Sequence, residues 1–144
     1  EVWEDEFVSI QERYKRGVFA LDTALFLHDL TDRTPHKFHM AFPYGYNTSS
    51  PKAAGILCSC KKEPYYSLGI ALVDTPAGNT VRAYNAEKTL CEILKPISHT
   101  DIQIITDAFK RYAGRKDKNI PLLSEYAHQL RVEKRLRPYL EVLL

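Results

Sequence analysis

The spacing of apolar residues along this chain changes from a mixture of strand-like alternation and short helical stripes to an unbroken run of helical stripes. Phe7, Val8, Ile10 and Tyr14 predict a short helix over 4–14, ended by Gly17. Leu21, Ala24, Leu25 and His28 fall at helical spacing and predict a second helix over 21–29. Asp29–Asp32 and Pro35 close it, because the residue before a proline disfavours the helical region. Lys37–Phe42 alternates polar and apolar positions and reads as a strand that Pro43 stops. Gly45–Lys52 is rich in Gly, Asn, Ser and Pro and reads as a loop. Gly55–Cys60 and Leu68–Val73 are two more short strands. Asp74–Asn79 carries strong turn chemistry and leads into a strand at Thr80–Tyr84, so 70–74 and 80–84 are expected to form a hairpin.

Beyond Tyr84 the period is helical throughout. Asn85 is placed to cap a helix reaching Leu94, with Ala86, Leu90, Ile93 and Leu94 buried and Pro96 as its stop. Thr100 with Gln103 has the form of a capping box. It would open a helix with Ile102, Ile105, Phe109 and Tyr112 on one face, ended by Gly114. A further helix over 121–130 would bury Leu122, Tyr126 and Leu130. Val132, Leu136, Tyr139, Leu140 and Leu143 form a last stripe, interrupted by Pro138. An internal proline costs about 3 kcal/mol, so a break at Arg137–Pro138 is expected. Strands followed by helices predict an α+β fold: a small, mostly antiparallel sheet packed with several helices, and a helical C-terminal half.

Composition adds bounds. At 144 residues, 44% hydrophobic and 26% charged, residues 1–144 read as a single globular domain. No apolar run approaches the roughly 20 residues that span a bilayer. The acidic first twelve residues do not resemble a secretory signal, and three cysteines suit a reducing compartment; a cytoplasmic location is expected. The only Met is Met40, so a processed chain or a fragment of a longer one is expected.

Candidate chemistry is sparse. Cys58-Ser59-Cys60 and His36/His39 lack the paired spacing of a zinc site, and the cysteines read as small core residues. There is no phosphate-binding loop, no Rossmann fingerprint and no nucleophile elbow. A nuclease reading would need Asp74 and Glu87 with a lysine, but the usual Glu-x-Lys on one strand is missing. No metal, cofactor or small-molecule substrate is expected. The motif Tyr84-Asn85-Ala86-Glu87-Lys88-Thr89-Leu90 reads as a folding device: a cap at Asn85, a helix-dipole partner at Glu87 and a core residue at Leu90.

Net charge is only +2, but residues 110–138 carry nine bases against three acids. The bases are Lys110, Arg111, Arg115, Lys116, Lys118, Arg131, Lys134, Arg135 and Arg137. On a helical wheel anchored at Val132, the last four lie opposite the apolar stripe. Two basic patches on consecutive helices could form one surface for a phosphate backbone or an acidic partner, without base stacking. The competing reading is a solvated face whose bases complement helix dipoles.

Three stretches, Gly17–Pro35, Val81–Leu90 and Arg131–Leu140, occur in an order and spacing that resembles the AbiEi-type antitoxins of bacterial abortive-infection toxin–antitoxin operons. The resemblance runs from Tyr14 to Leu143, is sharpest at 84–90 and weakest from 44 to 68. It implies the C-terminal antitoxin domain of a transcriptional autoregulator whose winged helix, ahead of this segment, binds operator DNA. It implies a cognate toxin of nucleotidyltransferase-like fold as partner, and no enzymatic activity. Asp29 stands where such antitoxins are expected to have a glycine, and no winged helix is visible in 1–144. A nucleic-acid-processing enzyme and a purely structural interaction domain remain the alternatives.

Overall fold

A computed structural model describes residues 5–143, with the side chains of Val142 and Leu143 excepted. Position 4 of the expected first helix and the Leu143 side chain of the last stripe therefore lie outside the described residues. Helix α1 (Glu6–Arg13) begins at Asp5, whose carboxylate accepts from the Phe7 main-chain N–H at 3.0 Å. The same carboxylate accepts from the Thr75 hydroxyl at 2.5 Å and the Asn79 amide at 3.0 Å, which ties α1 to a distant hairpin turn. Strand β1 (Val18–Phe19), helix α2 (Leu21–Leu27), strand β2 (His39–Pro43), helix α3 (Ser49–Ala53) and strand β3 (Leu57–Lys61) follow. Strands β4 (Ile70–Asp74) and β5 (Thr80–Tyr84) form the expected hairpin, in register from Ile70↔Tyr84 to Asp74↔Thr80. Four helices complete the chain: α4 (Ala86–Ile93), α5 (Ile102–Ala113), α6 (Ile120–Gln129) and α7 (Glu133–Leu143), with a 3-10 turn at Pro96–Ser98.

The five strands form one sheet in the order β3-β2-β1-β5-β4. The α+β architecture holds, but the sheet is mixed: β1–β2 and β4–β5 are antiparallel, whereas β1–β5 and β2–β3 are parallel. One face carries Phe19, Met40, Phe42, Val81 and Ala83 against Tyr14 and the Phe7, Val8 and Ile10 side of α1. The other carries Val18, Ala41 and Tyr84 beneath Tyr66. On that side sits a helical core centred on α4, which is buried at every residue from Ala86 to Ile93 and packs with α2, α5 and α6, while α7 packs on α5 and α6.

Several local expectations are corrected. The central strand β1 has no counterpart among the expected strands, because two residues show no alternation. Ser49–Ala53 is a short helix inside the expected loop. The cap of α5 is Asp101, whose side chain accepts from Gln103 N at 2.7 Å, and not a Thr100 box; the Thr100 hydroxyl instead meets Ser98 Oγ at 2.9 Å. Ile102 lies on the open side of α5 while Ala108 joins Ile105, Phe109 and Tyr112 in the core. On α6 Leu123 is buried in place of the half-buried Leu122, together with Ala127 and the expected Tyr126 and Leu130. The α7 helix does not break at Pro138. Its proline is exposed, so water can serve the carbonyl left without a donor, while Leu136 in the core and Tyr139 stacked on Phe109 at 4.4 Å hold both sides of it.

Two helix ends use left-handed residues that are not glycine. Asp29 (φ 58°) ends α2, with Leu30 N donating to Leu25 O at 2.9 Å; Arg131 (φ 59°) ends α6, with Val132 N donating to Ala127 O at 2.9 Å. Both are Schellman closures, which favour glycine at this position. Asp29 thus occupies the left-handed site at which a glycine is expected.

Candidate functional site

The motif at 84–90 turns from β5 into α4, and every polar member has a partner inside the protein. Asn85 caps α4 by accepting from Lys88 N at 2.8 Å and donates to the Tyr126 hydroxyl at 3.2 Å. The buried Tyr84 hydroxyl donates to Tyr66 O at 2.7 Å, and the Tyr84 carbonyl meets His28 Nε2 at 2.7 Å. Thr89 Oγ1 donates to Asn85 O at 2.8 Å. Glu87 is not a solvent-facing dipole partner. It is buried and accepts from the Tyr112 hydroxyl at 2.6 Å, joining α4 to α5. The spacing of Tyr112 places it on the core face, but nothing in the spacing points to its bond with Glu87.

Lys88 is the least expected of the set, at 0% exposure. Its ammonium donates to Tyr65 O at 2.8 Å and Leu68 O at 2.9 Å, and lies 3.8 Å from the Tyr84 ring centroid. It therefore fastens the 62–69 loop onto the start of α4. Gly69 (φ 82°) lets the loop approach, since a Cβ there would sit 2.8 Å from Lys88 Cβ. Burial pushes Lys88 down to about 8, partly opposed by Glu92. Glu92, one turn on and 2% exposed, lies 3.9 Å from Lys88 and 2.5 Å from Lys61. Its second oxygen is the one buried side-chain acceptor without a hydrogen bond among the described residues. The Lys88–Glu92 spacing of four residues is a legible signal, but Lys61, 27 positions before Lys88, is not.

The basic residues divide into two sets. Arg111 pairs with Asp107 at 2.9 Å and approaches Asp29 at 4.0 Å. Arg115 grips Asp117 with two bonds of 2.8 Å and donates to His28 O at 2.9 Å. Lys118 donates to Ala113 O at 3.0 Å, closing the end of α5. Only Lys110 and Lys116 of that group stand exposed without such a partner among the described residues. Arg131, Lys134, Arg135 and Arg137 are all exposed and have no partner among the described residues; the neighbouring acid Glu133 is held by His128 at 3.1 Å. The first set ends α5 and fills the loop before α6, and the second follows α6; α5 and α7 pack side by side, with Phe109 stacked on Tyr139 at 4.4 Å. Arg131 ends α6 and complements its dipole, but Lys134 and Arg135 sit in the first turn of α7, where a cation is disfavoured. Dipole complementation does not account for them.

No cluster of three or more metal-ligating side chains occurs among the described residues. Cys58 is half-buried and Cys60 exposed on the edge strand β3, so Cys60 is not the core residue expected. Asp74 and Glu87 are not brought together: Asp74 faces Thr80 at one end of the β4–β5 hairpin, and Glu87 follows its other end. No described helix is long and apolar enough to cross a membrane. No protein-family model matches the chain, and no curated protein matches it significantly.

Proposed function

We propose that this chain is the C-terminal antitoxin and regulatory domain of a bacterial toxin–antitoxin autoregulator, and that it acts by binding, without catalysis. On this reading its partners are a cognate toxin of nucleotidyltransferase-like fold and, through the full-length protein, operator DNA. The ordered motifs at 17–35, 81–90 and 131–140 support the family reading. The observation that carries the binding mode is the free basic surface at the α6–α7 junction and along α7: Arg131, Lys134, Arg135 and Arg137 are exposed, without a partner among the described residues and, at Lys134 and Arg135, contrary to the helix dipole. Such a face suits contact with a phosphate backbone or an acidic protein surface.

Two measurements test it. Residues 1–144 are co-expressed with the toxin encoded beside the parent gene, and growth is scored. Rescue is expected; a folded domain that fails to rescue overturns the antitoxin assignment. Separately, Arg131, Lys134, Arg135 and Arg137 are all reversed to Glu in the full-length protein. Operator affinity should fall, and the slope of log K against log salt should flatten by about 0.9 for each phosphate that is no longer neutralised. An unchanged slope sinks the role of this face.

A further inference from the structure

We propose that the cleft between the start of α2, the beginning of β3 and the 3-10 turn is a binding site for a nucleoside monophosphate: an anion with hydroxyl groups and a planar apolar body. This does not rest on the basic face of α7. The cleft encloses about 560 Å³, a volume within the range of small-molecule sites.

Its walls supply three kinds of contact. Lys37 and Lys52 are the cations of the lining, both exposed and both without a protein partner among the described residues. Two ammonium groups match the double charge of a phosphate monoester better than the single charge of a carboxylate. Asp22 is the one carboxylate of the lining, and it too has no protein partner among the described residues. An acceptor-only group beside an anion site suits a sugar hydroxyl. Leu57 and Ile97 supply the apolar contact, at 48% and 82% exposure; two large aliphatic side chains left this open on one cleft are unfilled binding surface.

His39 stands among these groups on a rigid mount. Its main-chain N–H donates to the buried Thr23 hydroxyl at 2.9 Å, and its Nε2 meets Ser59 Oγ at 3.2 Å. His39 lines the cleft, and its Nδ1 has no hydrogen-bond partner among the described residues. Burial lowers the His39 pKa, opposed by the nearby carboxylates of Asp22 and Glu92. The backbone is also unusual here. Leu21 (φ 50°) and His99 (φ 53°) are two of the four non-glycine residues in the left-handed region among the described residues, and both line this cleft. Strained positions of this kind gather where side chains must be aimed at a ligand.

The test is calorimetric titration of the whole chain with AMP, CMP, GMP and UMP, and with inorganic phosphate. At least one nucleotide should saturate with a Kd of about 1 mM or tighter, and phosphate alone should bind about tenfold more weakly. Reversing Lys37 and Lys52 together (K37E with K52E), and separately Ile97→Asp, should each weaken binding about tenfold. All three positions are on the surface, and an unchanged near-ultraviolet circular dichroism spectrum confirms that each variant is folded. Arg135→Glu should leave the affinity as it was. Saturation by no nucleotide overturns the proposal. So does equal affinity for phosphate alone, or a loss of binding that follows Arg135→Glu while the Lys37/Lys52 variant binds normally.

Discussion

The charges around Lys88 and the charges along α7 are the same kinds of residue put to opposite uses. Around Lys88 an ammonium with no exposure meets two loop carbonyls, an aromatic ring and a buried carboxylate. Glu87 is buried too, against Tyr112. At Arg131 and along α7, four bases stand in solvent with no partner among the described residues. A buried charge is stabilising only through its partners, and removing one partner leaves the rest exposed to the full cost of desolvation. A solvated charge costs little and contributes little to the fold, so its energy is available to something outside the molecule. The first cluster belongs to folding; the second, under the proposed function, belongs to recognition, and substitutions in each can break that division.

The largest effect is expected at Lys88. Lys88→Ala leaves the carbonyls of Tyr65 and Leu68 without their donor and takes one of two cations from Glu92; it should cost about 3–5 kcal/mol in urea unfolding. Lys88→Met keeps the packed stem and should cost less. A loss as small as a surface substitution, within about 0.5 kcal/mol, would mean that the enclosed cluster does not hold the 62–69 loop. Next comes Tyr112→Phe, which strips the Glu87 carboxylate of its buried donor and the Asn119 N–H of its acceptor; about 2 kcal/mol is expected. A double-mutant cycle with Glu87→Gln should show strong coupling between the two positions.

Acid tests the enclosed region in another way. His28 and His39 are both held below the ordinary histidine value, first of all by burial. A base whose folded pKa is depressed takes up its proton more readily when unfolded, so stability is lost as pH falls from about 6.5 toward the folded value. The urea midpoint should therefore be lower near pH 5.5 than near pH 7.5, and His28→Gln should reduce the difference. A midpoint that is flat over this interval would mean that neither ring is enclosed as described.

How far the sequence foretells this depends on how local each signal is. The β4–β5 hairpin is legible because Asp74–Asn79 carries its own turn chemistry, and α4 because Asn85 caps it from the adjoining residue. Strand β1 is not: Val18–Phe19 is too short to alternate, and it is a strand because β2 and β5 pair with it on either side. Intrinsic propensity puts a break at Pro138, which the tertiary contacts of Leu136 and Tyr139 override. The basic run of 110–118 looks free in one dimension, whereas Asp107, Asp117 and the carbonyl of His28 occupy it in three. The burial of Lys88 is the least legible of all, since its acceptors are backbone carbonyls 20 and 23 residues away.

A gain in stability is expected where the helix ends are strained. An L-residue in the left-handed region costs about 1–2 kcal/mol, with aspartate among the better tolerated. Arg131→Gly should therefore stabilise the domain by about 1 kcal/mol, net of the greater freedom of glycine in the unfolded chain, and Asp29→Gly by less. Thermal unfolding measures both. Arg131 matters twice, because the same substitution removes one of the four free bases and should flatten the salt slope of polyanion binding by about 0.9.

The smallest effect on stability is the most discriminating. Lys134 and Arg135 stand at the N-terminus of α7, where backbone N–H groups already present partial positive charge. If these bases served the fold, replacing them with glutamate would harm it. The dipole argument gives the reverse sign: Lys134→Glu with Arg135→Glu should stabilise the domain by about 0.5 kcal/mol at low salt. The same pair of changes should weaken polyanion binding and remove about two ions from its salt dependence. Stability and binding would then move in opposite directions at the same two positions, as expected of residues retained for a partner. Loss of stability with unchanged binding would return α7 to the same role as the cluster around Lys88, and the contrast between the two regions would fall.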